Sequence, residues 1–273
     1  MEASFWDGKR APGINDTVDF NEYGSVIEVV EKSFKSYADR AAFTSIGLTM
    51  TYADIDERSA AFASYLQNHT NLKPGDTIAI QMPNILQYPI AMYGAMRAGL
   101  IVTNTNPLYT EREMLHQFND SNAKALICMD VFARSVQNVV ADTGVETVII
   151  TSLADMLPTP KRVLINFATK YVKKMVPSYS LPNSVDFRQA LKLGKAKPFK
   201  AVPPKGKDDT IILQYTGGTT GVAKGAELTN GNLVSNMLQA KQMMLQTDES
   251  GNLVKGNKQS VVVAPLPLYH IYA

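Results

Sequence analysis

The residues of this sequence that are best suited to binding a phosphate form a loop rich in glycine and threonine. It follows an apolar, β-branched run over residues 210–215 that predicts a strand, and it ends at Lys224. Glycines let the backbone approach a ligand closely, and the hydroxyl and backbone N–H groups are hydrogen-bond donors. A polyphosphate needs many donors and some neutralisation of its charge, which the lysine supplies. The candidate phosphate-binding residues are Thr216, Gly217, Gly218, Thr219, Thr220, Gly221 and Lys224.

The spacing of this loop fits neither of the two common phosphate-binding motifs. In G-x-x-x-x-G-K-[ST] the lysine directly follows a glycine, but here two residues separate Gly221 from Lys224. Gly225 stands where that motif has the hydroxyl that holds magnesium, and the glycines do not match G-x-G-x-x-G. A turn and a short strand are predicted next, and a helix only from about Thr229 or Asn230. The alternative, a flexible surface loop, does not account for so many such residues beside a lysine.

The loop resembles the signature of the adenylate-forming superfamily, which includes acyl-CoA synthetases, luciferase-like enzymes and peptide-synthetase adenylation domains. Its usual form there is [Tyr/Phe]-Thr-Ser-Gly-Thr-Thr-Gly-x-Pro-Lys-Gly. Gly217 replaces the serine and Ala223 replaces the proline, and both departures are similar to bacterial long-chain fatty-acid–CoA ligases. Residues 265–272 resemble the family's next motif, a strand ending in Pro-Leu-x-His, and here they follow a predicted strand over residues 261–264. Looser agreement is found at residues 50–55, 73–76 and 82–84.

This resemblance implies an acid–thiol ligase that uses ATP to convert a long-chain fatty acid to an acyl adenylate and then to acyl-CoA. ATP, Mg²⁺ and coenzyme A are the implied cofactor and co-substrates. The candidate catalytic residues are Lys224, as an electrostatic partner of the β- and γ-phosphates, and His270, beside the acyl carboxylate and the adenylate. Lys224 is not expected to act as a base, because an exposed lysine stays protonated near neutral pH. The sequence contains no metal-ligand cluster, so no metal-binding residue is predicted.

Three other functions are considered. A ligase of the same superfamily could act on medium-chain, aryl or amino acids, because only the Gly217 and Ala223 variants favour long chains. A non-catalytic nucleotide- or lipid-binding module is the second, and an unrelated P-loop NTPase, disfavoured by the spacing, is the third. The superfamily's later motifs are not found after His270. We therefore expect an N-terminal portion of the enzyme that binds phosphate weakly at most and does not turn over.

The composition is that of an ordinary globular protein, with 273 residues, 45% hydrophobic and 19% charged. The formal net charge of +2 gives no general electrostatic argument for binding nucleic acid. The single cysteine, Cys128, is expected to be inert in a buried strand, and the lack of a disulfide framework fits a reducing cytosol. No signal peptide or membrane-spanning stretch is predicted. The expected location is cytoplasmic. Peripheral contact with the inner membrane and a homodimer are also considered.

Strands and helices alternate from about residue 76 to 151, which predicts an α/β fold with mainly parallel sheets flanked by helices. Before this region we predict a helix over residues 25–37 and a hairpin around Gly47, and we predict capping pairs at Thr51 with Asp54 and at Thr110 with Glu113. The predicted division is an N-terminal segment over residues 1–75 and a first βαβ subdomain over 76–207. The start of a second subdomain, over 208–273, carries the loop.

Residues 160–177 have the pattern of a basic amphipathic helix, in which lysines and an arginine alternate with apolar side chains. One interpretation is contact with an anionic membrane surface, which suits an enzyme that collects fatty acids. The preferred interpretation is a packed surface helix with a solvated lysine face. The remaining two histidines, His69 and His116, are expected to be structural or solvated.

Overall fold

The structure, a computed structural model, describes residues 18–19, 21–202, 206–216, 222–244 and 261–270. Its helices are α1 (Val26–Ser36), α2 (Tyr52–His69), α3 (Gln87–Arg97), α4 (Glu111–Asp120), α5 (Ala133–Val139), α6 (Thr159–Phe167), α7 (Phe187–Lys195) and α8 (Asn230–Met244). Its strands are β1 (Ala41–Ser45), β2 (Leu48–Thr51), β3 (Thr77–Gln81), β4 (Ile101–Asn104), β5 (Ala123–Met129), β6 (Thr147–Thr151), β7 (Val185–Asp186), β8 (Thr210–Thr216) and β9 (Lys224–Thr229). Short 3₁₀ turns flank α5, and a π-helical turn over Ala168–Val172 extends α6.

Seven strands form one sheet in the order β7-β6-β5-β3-β4-β8-β9. Every neighbouring pair is parallel except β8 and β9, which are antiparallel. All five residues of β3 are buried, as expected for a central parallel strand covered on both faces. The predicted α/β fold with a mainly parallel sheet is confirmed. The predicted hairpin is also present, because β1 and β2 pair antiparallel on their own.

The strands β8 and β9 lie beyond the predicted boundary at residue 208, yet they extend the same sheet at the outer side of β4. Hydrogen bonding between strands therefore continues across that boundary. The division into segments 1–75, 76–207 and 208–273 stays a prediction.

Both predicted capping boxes are present, and they define where two helices begin. Thr51 Oγ1 accepts a hydrogen bond from the Asp54 N–H at 3.1 Å, and Asp54 Oδ2 accepts one from the Thr51 N–H at 2.9 Å. This backbone donor lowers the pKa of the Asp54 carboxyl below its usual value. Thr110 and Glu113 make the same reciprocal bonds at the start of α4. Each box satisfies N–H groups that would otherwise lack a partner at the first turn.

Strand β7 and helix α7 lie between residues 177 and 207. No strand or helix was predicted there from the sequence. Helix α7 buries Phe187, Ala190 and Leu191 and packs on α2. Its last turn contains Gly194, and a Cβ atom there would lie 1.8 Å from the carbonyl oxygen of Ala61 in α2. The two helices therefore approach each other as closely as glycine allows.

The strand predicted over residues 261–264 is absent, and that prediction is wrong. Val261, Val262 and Val263 are 89%, 74% and 81% exposed, and these residues pair with no described strand. β-Branched residues favour a strand only where a neighbouring strand supplies backbone hydrogen bonds and a surface to pack on. His270 consequently follows a docked loop and not a strand.

We predict that Gly194→Ala lowers the free energy of unfolding by about 3 kcal/mol or more, because the clash is with backbone atoms and no rotamer change relieves it. Gly144→Ala is the matched control, since its nearest atom would lie at an ordinary contact distance of 3.5 Å. Chemical denaturation of both variants measures the difference. Equal unfolding midpoints for the two variants would contradict the close α2–α7 packing.

Candidate functional site

The predicted phosphate loop is the turn of a β-hairpin at the carboxyl end of β8. Strand β8 runs parallel to β4 and antiparallel to β9, and Thr216 lies directly opposite Lys224 at the end of the hairpin next to the loop. Both residues are exposed. Ligands of open α/β sheets bind beyond the carboxyl ends of the strands, and Thr216 is the last residue of β8. The other candidate phosphate-binding residues, which lie outside the described part of the chain, are Gly217, Gly218, Thr219, Thr220 and Gly221.

The base of the hairpin is packed by Tyr215, whose ring covers Gly225. A Cβ atom at residue 225 would lie 2.9 Å from Cε2 of that ring. The Tyr215 hydroxyl donates to Asp120 Oδ2 at 2.5 Å, and burial followed by this carboxylate raises the pKa of the phenol. The residue after Lys224 must therefore be glycine for this packing to form. A serine or threonine, which the Walker pattern has at that place, would displace the tyrosine.

His116 of α4 contacts Ala223, the residue just before Lys224. Its Nε2 lies 2.8 Å from the carbonyl oxygen of Ala223. Because a carbonyl only accepts hydrogen bonds, Nε2 must carry the proton. The imidazole also meets the Tyr215 ring edge-on, with 6.5 Å between the ring centroids. His116 thus has a structural role, as expected, but its contact with the residue that precedes Lys224 was not anticipated from the sequence.

A network of buried polar side chains connects the carboxyl ends of β4 and β8 with residues 268–269. The Tyr88 hydroxyl lies 2.7 Å from Asn104 Oδ1 and 2.9 Å from the carbonyl oxygen of Leu268. Asn104 Nδ2 donates to Gln214 Oε1 at 3.3 Å, and Gln214 Nε2 donates to the carbonyl oxygen of Tyr269 at 3.0 Å. Burial raises the pKa of Tyr88, so its hydroxyl remains a donor. Buried polar groups require partners, so this network places residues 268–269 against the sheet.

Asn84, just after β3, binds the loop over residues 264–268 through both the nitrogen and the oxygen of its side-chain amide. Its Nδ2 donates to the carbonyl oxygens of Ala264 at 3.0 Å and Leu266 at 2.8 Å. Its Oδ1 accepts from the N–H of Leu268 at 2.7 Å. The only signal in the sequence was the short Pro-Asn segment at residues 83–84, which agreed loosely with the superfamily. Its hydrogen-bond partners are 180 to 184 residues away along the chain, so the contact itself could not be deduced.

His270 lies at the end of this docked loop. Its backbone N–H donates to the carbonyl oxygen of Pro267 at 2.8 Å, which forms a turn, and the residue is exposed. The preceding residue is held by Gln214, which lies two residues before Thr216. His270 and the carboxyl end of β8 are therefore at the same edge of the sheet. The catalytic roles of His270 and Lys224 stay predictions.

The described part of the chain contains no group of three or more His, Cys, Asp or Glu residues that could hold a metal ion. Cys128 is buried in β5, and burial followed by Asp130 raises the pKa of its thiol. A thiol in this environment is a poor nucleophile, because the thiolate is the reactive form.

The basic amphipathic segment forms α6 and its π-helical turn, but it does not pack as expected. No residue of α6 is buried. The apolar side chains that are 54% to 69% exposed in this segment are Val163, Leu164, Phe167, Tyr171, Val172 and Met175. The preferred interpretation, a packed surface helix, is wrong for these residues. Among the helices of the described residues, none has the length and apolar character needed to cross a membrane.

The fold is α/β with a mainly parallel sheet, and comparison with known families gives the class of the protein. The family of AMP-binding enzymes matches residues 30–273. This match covers most of the chain, and the chain therefore belongs to the AMP-binding enzyme family. The predicted membership of the adenylate-forming superfamily is confirmed.

Relatives with established names agree with this assignment. The chain is 44% identical over 270 residues to a long-chain-fatty-acid–CoA ligase of Haemophilus influenzae, covering 98% of this chain and 47% of that protein. It is 45% identical over 268 residues to the protein of the same name from Salmonella typhimurium, covering 98% of this chain and 46% of that protein. The chain thus spans about half the length of the curated relatives that it matches.

Solved structures show the same fold at lower sequence identity. An anthranilate CoA ligase in complex with anthranoyl-AMP superposes with a TM-score of 0.63 at 14% identity, covering 78% of this chain and 37% of that one. A long-chain-fatty-acid–CoA ligase from Archaeoglobus fulgidus gives a TM-score of 0.60 at 23% identity, covering 80% of this chain and 39% of that one. These similarities confirm the predicted fold class for most of the chain.

Proposed function

We propose that this chain provides the pyrophosphate-binding part of a ligase that uses ATP to activate a long-chain fatty acid, first to an acyl adenylate and then to acyl-CoA. The observation that carries the proposal is the pairing of Thr216 with Lys224, the two strand residues that flank the loop at the carboxyl end of β8. The identity of 44–46% to proteins named long-chain-fatty-acid–CoA ligase supports the choice of substrate.

In this reaction a carboxylate oxygen attacks the α-phosphorus of ATP, and the bond from that phosphorus to the bridging oxygen breaks. Pyrophosphate leaves with the electron pair, and the thiol of coenzyme A then displaces AMP from the acyl carbon. The chain's task in the first step is to hold the leaving group and stabilise its growing negative charge. Lys224 is positioned to supply a positive charge and Thr216 a hydroxyl. The five loop residues between Thr216 and Val222 are proposed to supply further donors.

His270 is proposed to lie beside the acyl carboxylate and the adenylate. Asn84 and Gln214 act as positioning residues for it, because they hold the backbone of the loop that ends there. Mg²⁺, when bound with ATP, would neutralise phosphate charge and be held mainly through phosphate oxygens. The described residues offer no cluster of carboxylates for it.

A ligase for an aryl acid is the second candidate within the family. A Petunia hybrida protein named 4-coumarate:CoA ligase 1 is 30% identical to this chain over 226 residues. This similarity is lower and shorter than that to the long-chain enzymes, which favours the fatty acid. A non-catalytic nucleotide-binding module would use the same hairpin without turnover.

The exposed apolar side of α6 supports a peripheral contact with an anionic membrane as a further part of the proposal. Phe167 and Tyr171 lie side by side, with ring centroids 5.0 Å apart, and both are more than half exposed. Lys161, Lys170 and Lys173 are exposed on the same segment. Apolar side chains rimmed by lysines complement an anionic lipid surface, where they enter the headgroup boundary. A fatty acid dissolved in that surface would reach the enzyme without crossing water.

For the full-length protein, we predict that Lys224→Ala slows pyrophosphate exchange into ATP by about 100-fold, because one charged contact to the leaving group is lost. Thioester formation from supplied acyl adenylate should change much less, because pyrophosphate has already left. Lys192→Ala, which removes an exposed lysine from α7, is the matched control. Equal losses in the two half-reactions would argue against a phosphate role for Lys224.

We predict that Leu164→Ala combined with Phe167→Ala weakens binding to phosphatidylcholine vesicles containing phosphatidylglycerol by about tenfold or more, because less apolar surface enters the lipid. Leu108→Ala serves as the control, since Leu108 is 80% exposed elsewhere on the protein. Vesicle sedimentation measures the bound fraction. Unchanged binding of the double variant would rule out α6 as the contact.

A further inference from the structure

Three arginines line a cleft of about 440 Å³ that is separate from the hairpin loop. Arg58 comes from α2, Arg162 from α6 and Arg188 from α7, so three different helices bring them together. The hydroxyl-bearing residues Thr49 and Thr159 also line the cleft. Several arginines around one cleft are a common arrangement for binding a phosphate or carboxylate group.

These arginines have no ion-pair partner among the described residues. Within the described part of the chain, none of the three appears in a salt bridge. The Nε of Arg58 is buried and has no hydrogen-bond acceptor. A buried donor without an acceptor is unfavourable, so an anion that enters the cleft and accepts from this N–H would be stabilised there.

The two carboxylates that line the cleft, Asp54 and Asp155, are committed to other partners. Asp54 accepts the capping bonds of Thr51, and Arg58 only lowers its pKa through a longer-range electrostatic effect. Asp155 accepts from the N–H of Ser152 at 2.7 Å and from the hydroxyl of Thr151 at 2.9 Å. Neither carboxylate therefore forms an internal ion pair that would occupy the arginines.

The start of α6 also faces this cleft, which is lined by Pro158 and Thr159. No side chain caps this helix, so N–H groups of its first turn remain available as donors. The amino end of a helix carries partial positive charge and favours an anion. This feature adds to the three arginines and does not define the site alone.

We propose that this cleft binds a phosphate group, carried either by a soluble phosphomonoester or by a phospholipid head group. Its volume exceeds that of a bare ion and leaves space for the organic part of a phosphate ester. The site is distinct from the proposed ATP site, because β6, which leads into the cleft, is four strand spacings from β8, or about 19 Å. Arg162 and the exposed apolar residues of α6 belong to one helix, so a head group could enter while that helix contacts lipid.

The test is to titrate glycerol 3-phosphate into the full chain by calorimetry and to measure sedimentation with phosphatidylcholine vesicles with and without phosphatidic acid. Arg188→Gln and Arg58→Gln should each weaken binding about tenfold, the order of one charge-assisted contact. Arg188 is exposed, so its replacement leaves the fold intact even if Arg58→Gln is destabilising. Arg134→Gln removes an exposed arginine elsewhere, and Lys224→Ala disables the proposed ATP site.

Saturable binding of glycerol 3-phosphate that is lost in the cleft variants and kept in both controls supports a soluble ligand. Binding of phosphatidic acid vesicles alone, with the same pattern among variants, supports the lipid head group. The proposal is overturned if neither probe binds, if Arg134→Gln weakens binding as much as Arg188→Gln, or if only Lys224→Ala abolishes it. Because the cleft and Lys224 are tested by different variants, failure of this proposal leaves the ligase proposal standing.

Discussion

The requirement that buried polar groups be paired organises the candidate site of this protein. Tyr88, Asn104 and Gln214 are buried at the carboxyl ends of the parallel strands, and their polar atoms need partners in the absence of water. They find them partly in one another and partly in the backbone of residues 268–269, about 55 to 180 positions away along the chain. These hydrogen bonds bring the loop that ends at His270 to β8, the strand that precedes the glycine- and threonine-rich loop.

The pairing of β8 between β4 and β9 makes this arrangement possible. Parallel pairing with β4 places Gln214 opposite Asn104, and antiparallel pairing with β9 places Lys224 opposite Thr216. The packing of Tyr215 on Gly225 and the bond from His116 to Ala223 hold the base of the hairpin. The two described ends of the proposed phosphate-binding loop, Thr216 and Lys224, are thereby held in place relative to β4 and α4.

Much of this fold could be predicted from the sequence, because the signals were local. The capping pairs at Thr51 and Thr110 and the apolar run of β8 depend on residues only a few positions apart. Helix α7 was missed because it is short and because Gly194, which the close approach of α2 requires, reads in isolation as a helix breaker. The strand expected over residues 261–264 failed for the opposite reason, since β-branched side chains indicate a strand only when a neighbour is present. The role of Asn84 depends on backbone groups that are distant along the chain, so it could not be predicted from the sequence.

The phosphate-binding role of the hairpin is the central claim, and hydrogen–deuterium exchange with and without pyrophosphate tests it most directly. The account predicts that peptides covering residues 213–226 and 264–270 gain protection together, because the turn and the docked loop border one site. The β1–β2 hairpin, which lies outside the sheet, should exchange at the same rate in both conditions. Protection confined to other regions, with residues 213–226 unchanged at saturating pyrophosphate, would contradict the account.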